Sequence, residues 1–230
     1  MRFLKDFFRV FYPKICVGCS NELLSSEKIL CNFCSNDLPL LELDDHSNNI
    51  VTNSFYGRTK IEKAISFLSF HKKNTTQKLI HELKYNGRQE IGTSLGLWFA
   101  ENQKDVTFFS NIDYIIPVPI HPKKMRKRGY NQVSSFCKSL SEKFNIPVLE
   151  KVLIRGKNSS SQTSKNRLER SKTIENDFTL NHSEEIENKH VLLIDDVITT
   201  GATIEACCKE LLKTPNLRIS VLSIAFTAHT

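Results

Sequence analysis

Residues 191–204 read VLLIDDVITTGATI. Four apolar residues run into two adjacent carboxylates, Asp195 and Asp196, and a threonine–glycine stretch follows at once. A short, continuous apolar run predicts a strand buried on both faces, as in a parallel sheet. Two acids at its end are costly to bury unless something uses them. Successive strand residues point to opposite faces, so both acids serve one ligand only where the strand is ending and the chain is turning. Thr199, Thr200, Gly201, Ala202 and Thr203 then open a helical pattern with Ile204, Cys207, Cys208 and Leu211 on one side. Such a loop aims backbone N–H groups, hydroxyls and a helix N-terminus at one point, an anion site that fits a phosphate. Gly201 lets the backbone approach closely. Carboxylates repel a phosphate but accept hydrogen bonds from a vicinal diol. A phosphate at one end with a diol beside it describes a ribose 5-phosphate. Neither the GxxxxGK[ST] nor the GxGxxG pattern is present.

Outward from this stretch, strand and helix signals alternate. Residues 50–57, 61–70, 112–120, 148–155, 190–197 and 218–226 read as strands. Residues 75–85, 89–102 and 202–213 read as helices. A further helix, capped by Asn131, carries Val133, Phe136, Cys137, Leu140 and Phe144 at helical spacing. The alternation predicts an α/β fold, a mostly parallel sheet flanked by helices, with ligands beyond the carboxyl ends of the strands.

The chain has 230 residues and seven cysteines. Cys16-x-x-Cys19 and Cys31-x-x-Cys34 are two thiolate pairs 11 residues apart, a spacing that predicts a closed tetrahedral S4 site for structural Zn2+. We therefore expect residues 1–40 to form a small zinc-ribbon-like finger, with 41–230 as the main domain and 42–49 as a connector. Cys137, Cys207 and Cys208 fit core positions. This cysteine usage fits a reducing, cytoplasmic setting. No apolar run is long enough for a membrane helix. The segment MRFLKDFFRVFYPKICVGC is broken by Lys5, Asp6 and Arg9, which argues for an amphipathic docking segment and against a signal peptide. A net charge of +7 suits anionic partners.

VLLIDDVITTGAT resembles the phosphoribosyl-diphosphate (PRPP) motif of type I phosphoribosyltransferases. The order of the CxxC pairs, LIHELKYNGRQEIGTSLG (79–96), PVPIHPKKMRKRGYNQ (117–132), SQTSKNRLER (161–170) and the PRPP motif resembles the ComF, or competence protein F-like, family. The resemblance implies a type I phosphoribosyltransferase fold behind a zinc finger. It implies that Asp195 and Asp196 hold the ribose hydroxyls and that Thr199 to Thr203 hold the 5-phosphate. By position, the basic loop after the 112–120 strand would bind diphosphate through His121, Lys124, Arg128 and Gly129. Mg2+ would bridge diphosphate and ribose while keeping waters. Lys84 and Arg88 are further phosphate candidates, whereas His71 and His81 read as ordinary surface residues. The polar stretch 155–170 stands where type I enzymes carry a lid. The resemblance also implies a part in natural transformation, with single-stranded DNA and the competence machinery as partners. Phosphoribosyl transfer, PRPP sensing without turnover and DNA handling all remain open at this point. In one departure from the family, the chain ends AFTAHT, where an arginine is more usual.

Overall fold

The computed structural model describes residues 13–43, 45–103, 106–156 and 177–228. Residues 1–12 of the expected N-terminal docking segment and residues 157–170 of the expected lid lie outside this range. Six strands are described: β1 (Lys63–Ser69), β2 (Tyr114–Pro117), β3 (Leu153–Arg155), β4 (Phe178–Leu180), β5 (His190–Ile198) and β6 (Arg218–Phe226). The helices are α1 (Asn32–Asn36), α2 (Ile50–Asn53), α3 (Thr75–Tyr85), α4 (Glu90–Asn102), α5 (Pro122–Arg128), α6 (Ser134–Phe144) and α7 (Ala202–Leu211). No helix among the described residues is long and apolar enough to cross a membrane.

The main sheet has the order β1-β6-β5-β2, and all three pairings are parallel. Its centre is β5, whose residues 190–196 are all buried. Side chains alternate across it. Leu192 and Ile194 face one core with α3, α4 and α6, and Val191 and Leu193 face a second core with Phe55 and α7. The continuous apolar run is thus explained by a strand covered on both faces. Cys137, Cys207 and Cys208 are fully buried, as core positions should be.

Four expectations need correction. Residues 50–57 are not a strand. The Asn49 side chain accepts from the N–H groups of Val51 at 2.8 Å and Thr52 at 3.0 Å, so a local cap overrides the β-branched run. Asn131 does not cap α6. It is buried and donates to the Val118 carbonyl at 2.9 Å, tying down the chain as it leaves β2, and Val133 is the N-cap. Residues 148–155 do not extend the main sheet as a full strand. Val148 makes one isolated parallel bridge to Ile115, and β3 pairs antiparallel with β4 in a separate two-stranded sheet. The basic loop at 123–128 is helix α5, started by Pro122 and stopped by Gly129 at φ +81.

The cysteine segment sits on the first core. Cys16, Leu23, Ile29, Leu30, Cys34 and Leu38 share it with Leu79, Ile80 and Leu83 of α3. The chain beyond them then covers the open side of β1. Leu41 N–H donates to the Phe67 carbonyl at 2.9 Å, and Ser69 N–H to the Pro39 carbonyl at 2.8 Å. An exposed sheet edge is thereby occupied.

Helices α4 and α6 meet closely because two glycines face two serines. A Cβ on Gly92 would lie 2.1 Å from Ser135 Oγ, and one on Gly96 would lie 2.8 Å from Ser139 Cβ and 3.0 Å from the Phe136 carbonyl. Gly96→Val should therefore force the helices apart and cost about 1–3 kcal/mol. Urea denaturation reads this out; an unchanged midpoint would contradict the close approach.

Candidate functional site

The site follows from a difference in strand length. β2 ends at Pro117, opposite Ile194, and Val118 N–H makes the last bond, to the Ile194 carbonyl at 2.8 Å. β5 runs on to Ile198, paired only with β6 up to Phe226. From Asp195 onward the β2 side of β5 is an open edge. Asp195 and Asp196 keep their opposite strand orientations, yet both border that edge and line one cavity of about 180 Å3. The expectation that the strand ends at the acid pair is thus corrected: the neighbouring strand ends instead.

The opposite wall of the cavity is cationic. His121, Lys124 and Arg128 line it from α5, Lys84 from α3 and Arg155 from β3. Lys124 and Arg128 are one helical turn apart and so share a face. Lys123, Arg126 and Lys127 are exposed on the remainder of α5. His121 is the α5 N-cap, and its Nδ1 accepts from Lys123 N–H at 3.1 Å. That bond assigns the proton of the neutral ring to Nε2. Arg128 is held by Gln132 Oε1 at 2.8 Å and lies 5.1 Å over the Tyr85 ring.

Of the threonine–glycine loop, Thr203 lines the cavity. Thr199 and Thr200 are exposed, and Gly201 is the N-cap of α7 with φ +77. A Cβ there would also lie 2.8 Å from the Phe55 ring, so glycine is required twice over. Arg58 braces the loop from outside, donating to the Thr200 carbonyl at 2.8 Å and pairing with Glu205 at 2.6 Å. Ala202 follows as the first residue of α7. Gly129 lies outside the cavity lining and serves as the left-handed end of α5. Arg88 is also elsewhere, paired with Glu90 at 2.8 Å.

Arg155, Tyr85 and Gln132 are site residues that sequence reasoning missed. Arg155 is oriented by Asp177 at 2.8 Å, 22 residues away along the chain. Its signal was a lone Arg-Gly at a strand end. Gly156, at φ +98, lets the chain pass close to Pro122.

Burial raises the Asp195 carboxyl to about 7, and the charge of Asp196 adds to the effect. The Asp196 N–H bonded to Asp195 Oδ1 at 2.8 Å, together with Lys84 and Arg155, offsets part of the rise. Asp196 Oδ2 is 3.0 Å from Lys84 Nζ. Lys84, offered by sequence as a phosphate ligand, is here the counter-ion of an acid. Lys84→Met should leave Asp196 buried without a countercharge and cost about 1–3 kcal/mol near pH 7, with Lys84→Arg costing less. Thermal unfolding measures this; equal stability of both variants and wild type would contradict the pair.

The four cysteines of the two CxxC turns converge, with all four Sγ atoms within 4.8 Å of one another. Cys19 and Cys31 Sγ are 3.7 Å apart. Tetrahedral thiolates around Zn2+ at about 2.3 Å stand roughly 3.8 Å apart, so the donor set fits that ion. A Cβ on Gly18 would lie 2.7 Å from Cys34 Sγ, which explains the glycine inside the first turn. Burial alone would raise the Cys16 thiol, but the amides of Cys31, Cys19 and Gly18 aimed at it bring it down to about 6. The neighbouring Cys34 thiol is pushed up instead, by burial and by the other three thiols.

Comparisons with known proteins give the chain these relatives. The phosphoribosyl transferase domain family matches residues 134–228. Competence protein F of Haemophilus influenzae is 29% identical over 92% of this chain and 90% of its own length. Competence protein ComFC of Bacillus subtilis is 24% identical over 87% and 78%. The DNA utilization protein YhgH of Escherichia coli K12 is 26% identical over 65% and 66%. Among solved structures, glutamine PRPP amidotransferase from B. subtilis covers 61% of this chain and 30% of its own, at 16% identity and a TM-score of 0.39. The fold is that of a type I phosphoribosyltransferase, a parallel sheet flanked by helices, with a four-cysteine cluster near the N-terminus. With acid pair, threonine–glycine loop and cysteine cluster all placed, this chain carries a phosphoribosyl transferase domain over residues 134–228 and is similar to the competence protein F proteins.

Proposed function

We propose that the cavity binds PRPP with Mg2+ and that the protein transfers its phosphoribosyl group to a nitrogen nucleophile. The observation that carries the reading is the polarity of this cavity, with two acids on β5 facing His121, Lys124, Arg128 and Arg155. The ribose hydroxyls donate to Asp195 and Asp196. The 5-phosphate rests on the amides and hydroxyls of Thr199 to Thr203. Diphosphate departure builds negative charge on its oxygens, which Lys124, Arg128, Arg155 and the Nε2–H of His121 stabilise, while the carboxylates favour the positive ribose ring. Mg2+ would neutralise the diphosphate as it leaves.

The names of the relatives extend the reading. Proteins called competence protein F and DNA utilization protein support a role for this chain in DNA uptake. The outward cations Lys123, Arg126 and Lys127 fit a single-stranded, polyanionic partner. A PRPP sensor without turnover is the second reading, favoured by a lining whose charged and polar groups suit the sugar diphosphate while none marks an acceptor. In either case the cysteine cluster holds one structural Zn2+, the protein acts in the cytoplasm, and residues 1–40 and 41–230 are its two units.

Titration calorimetry tests the site. Wild type should bind PRPP in the presence of Mg2+, and the Asp195→Ala/Asp196→Ala variant should not; equal binding by both would sink the assignment. Diphosphate release over a panel of bases separates enzyme from sensor.

The raised Asp195 carboxyl gives a pH dependence. In the free protein it holds a proton below about pH 7, and ribose hydroxyls prefer the carboxylate. Binding therefore releases a proton, and affinity should weaken by up to about tenfold per unit as pH falls below 7. Because the folded value lies above the unfolded one, the group's contribution to stability is lost as pH rises from about 4 to 7. Asp195→Asn should thus gain stability over wild type across that window, seen as a widening difference in thermal midpoint. A constant difference would contradict the buried, protonated state.

Elemental analysis should find one zinc per chain, with Cys31→Ser losing metal and lowering the unfolding midpoint. A metal-free wild type of equal stability would refute the zinc reading.

A further inference from the structure

One helix, α3, touches both the cysteine cluster and the acid pair. The Lys78 ammonium donates to the carbonyl of Gly18, between Cys16 and Cys19. A Cβ on Gly18 would lie 3.3 Å from Thr75 Cγ2, so the first residue of α3 packs on the CxxC turn. Leu79, Ile80 and Leu83 are buried in the same core as Cys16 and Cys34. Six residues beyond Lys78, about 9 Å along the axis, the same helix reaches the site. Lys84 pairs with Asp196 at 3.0 Å. The Leu83 carbonyl accepts from the Tyr130 hydroxyl, and Tyr85 carries Arg128 on its ring at 5.1 Å.

An 11-residue helix is marginal alone in water, so its position is set by what it packs against. We propose that the metal-bound cysteine module is a positioning device for the donor site. Through Lys78 it fixes the rotation and height of α3, and so holds Lys84 against Asp196 and Tyr85 against Arg128. Lys78 touches no ligand and acts as a positioning residue. Opening the CxxC turn withdraws the Gly18 carbonyl, lets the first turns of α3 fray and loosens Lys84. Metal and sugar-phosphate binding are then coupled, and the coupling is reciprocal. The ligand half of this inference rests on the PRPP reading and the zinc reading above; the helix half stands on the contacts alone.

The full chain carrying Lys78→Met tests it. The variant should keep its zinc and its circular dichroism, lose hydrogen-exchange protection at the amides of Leu83 to Tyr85, and bind PRPP with Mg2+ about fivefold or more weakly. Lys78→Arg should recover part of that loss. Lys138→Gln, on the exposed surface of α6, should change none of these. In wild type, equilibrium competition with a chelator should show zinc held tighter when PRPP is saturating, by the factor that zinc removal costs PRPP affinity, a gain absent in Lys78→Met. Unchanged protection and PRPP affinity in a zinc-replete Lys78→Met protein would overturn the proposal. Should that variant not retain zinc, equal zinc affinity of wild type with and without PRPP would overturn it. Absence of PRPP binding by wild type would refute the ribose reading instead, and exchange at 83–85 would then decide the helix coupling by itself.

Discussion

The structure depends on the early end of one strand. Pro117 and Pro119 flank Val118, so the chain next to β5 has one amide to offer between Ile116 and Ile120, and it goes to the Ile194 carbonyl. β5 continues because β6 still pairs with it. Two acids that would otherwise be separated by the sheet share one opening. Their burial is tolerated because Lys84, the Asp196 amide and Arg155 lie close by and one carboxyl takes up a proton. A site charged in this way is unfavourable in the free state and is relieved by a ligand that brings hydroxyl donors.

The rest of the fold serves that opening. Helix α5 starts as β2 releases the chain and turns its Lys124 and Arg128 toward the acids. Phe55 and Arg58, far away in sequence, shape the threonine–glycine loop from the second core. From the first core, α3 carries Lys84. The cavity is therefore walled by elements from both faces of the sheet, and the cysteine cluster belongs to the packing of one of them.

What could be read from the sequence was local. DDVITTGAT holds its strand, its acids and its helix start within nine residues, and the two CxxC turns hold four ligands within 19. The period of α3 was clear enough that its limits were read as 75–85. The misreadings came where one side chain outweighed a pattern. Asn49 capped α2 against a β-branched run, and Asn131 was spent on Val118 instead of on α6. Pro122 and Gly129 were helix punctuation around residues read as a loop. Arg155 with Asp177, Lys84 with Asp196 and Arg58 with Thr200 are pairings across long separations, and no periodicity announces them.

The central claim is that the open edge of β5 is a ribose 5-phosphate site. A crystal structure of the protein with PRPP and Mg2+ tests it most directly. The account requires the 5-phosphate on the amides of residues 199–203, the ribose hydroxyls on Asp195 and Asp196, and the diphosphate facing Lys124 and Arg128. A ligand seated elsewhere, or a sugar reversed so that its phosphate lies on α5, would contradict it.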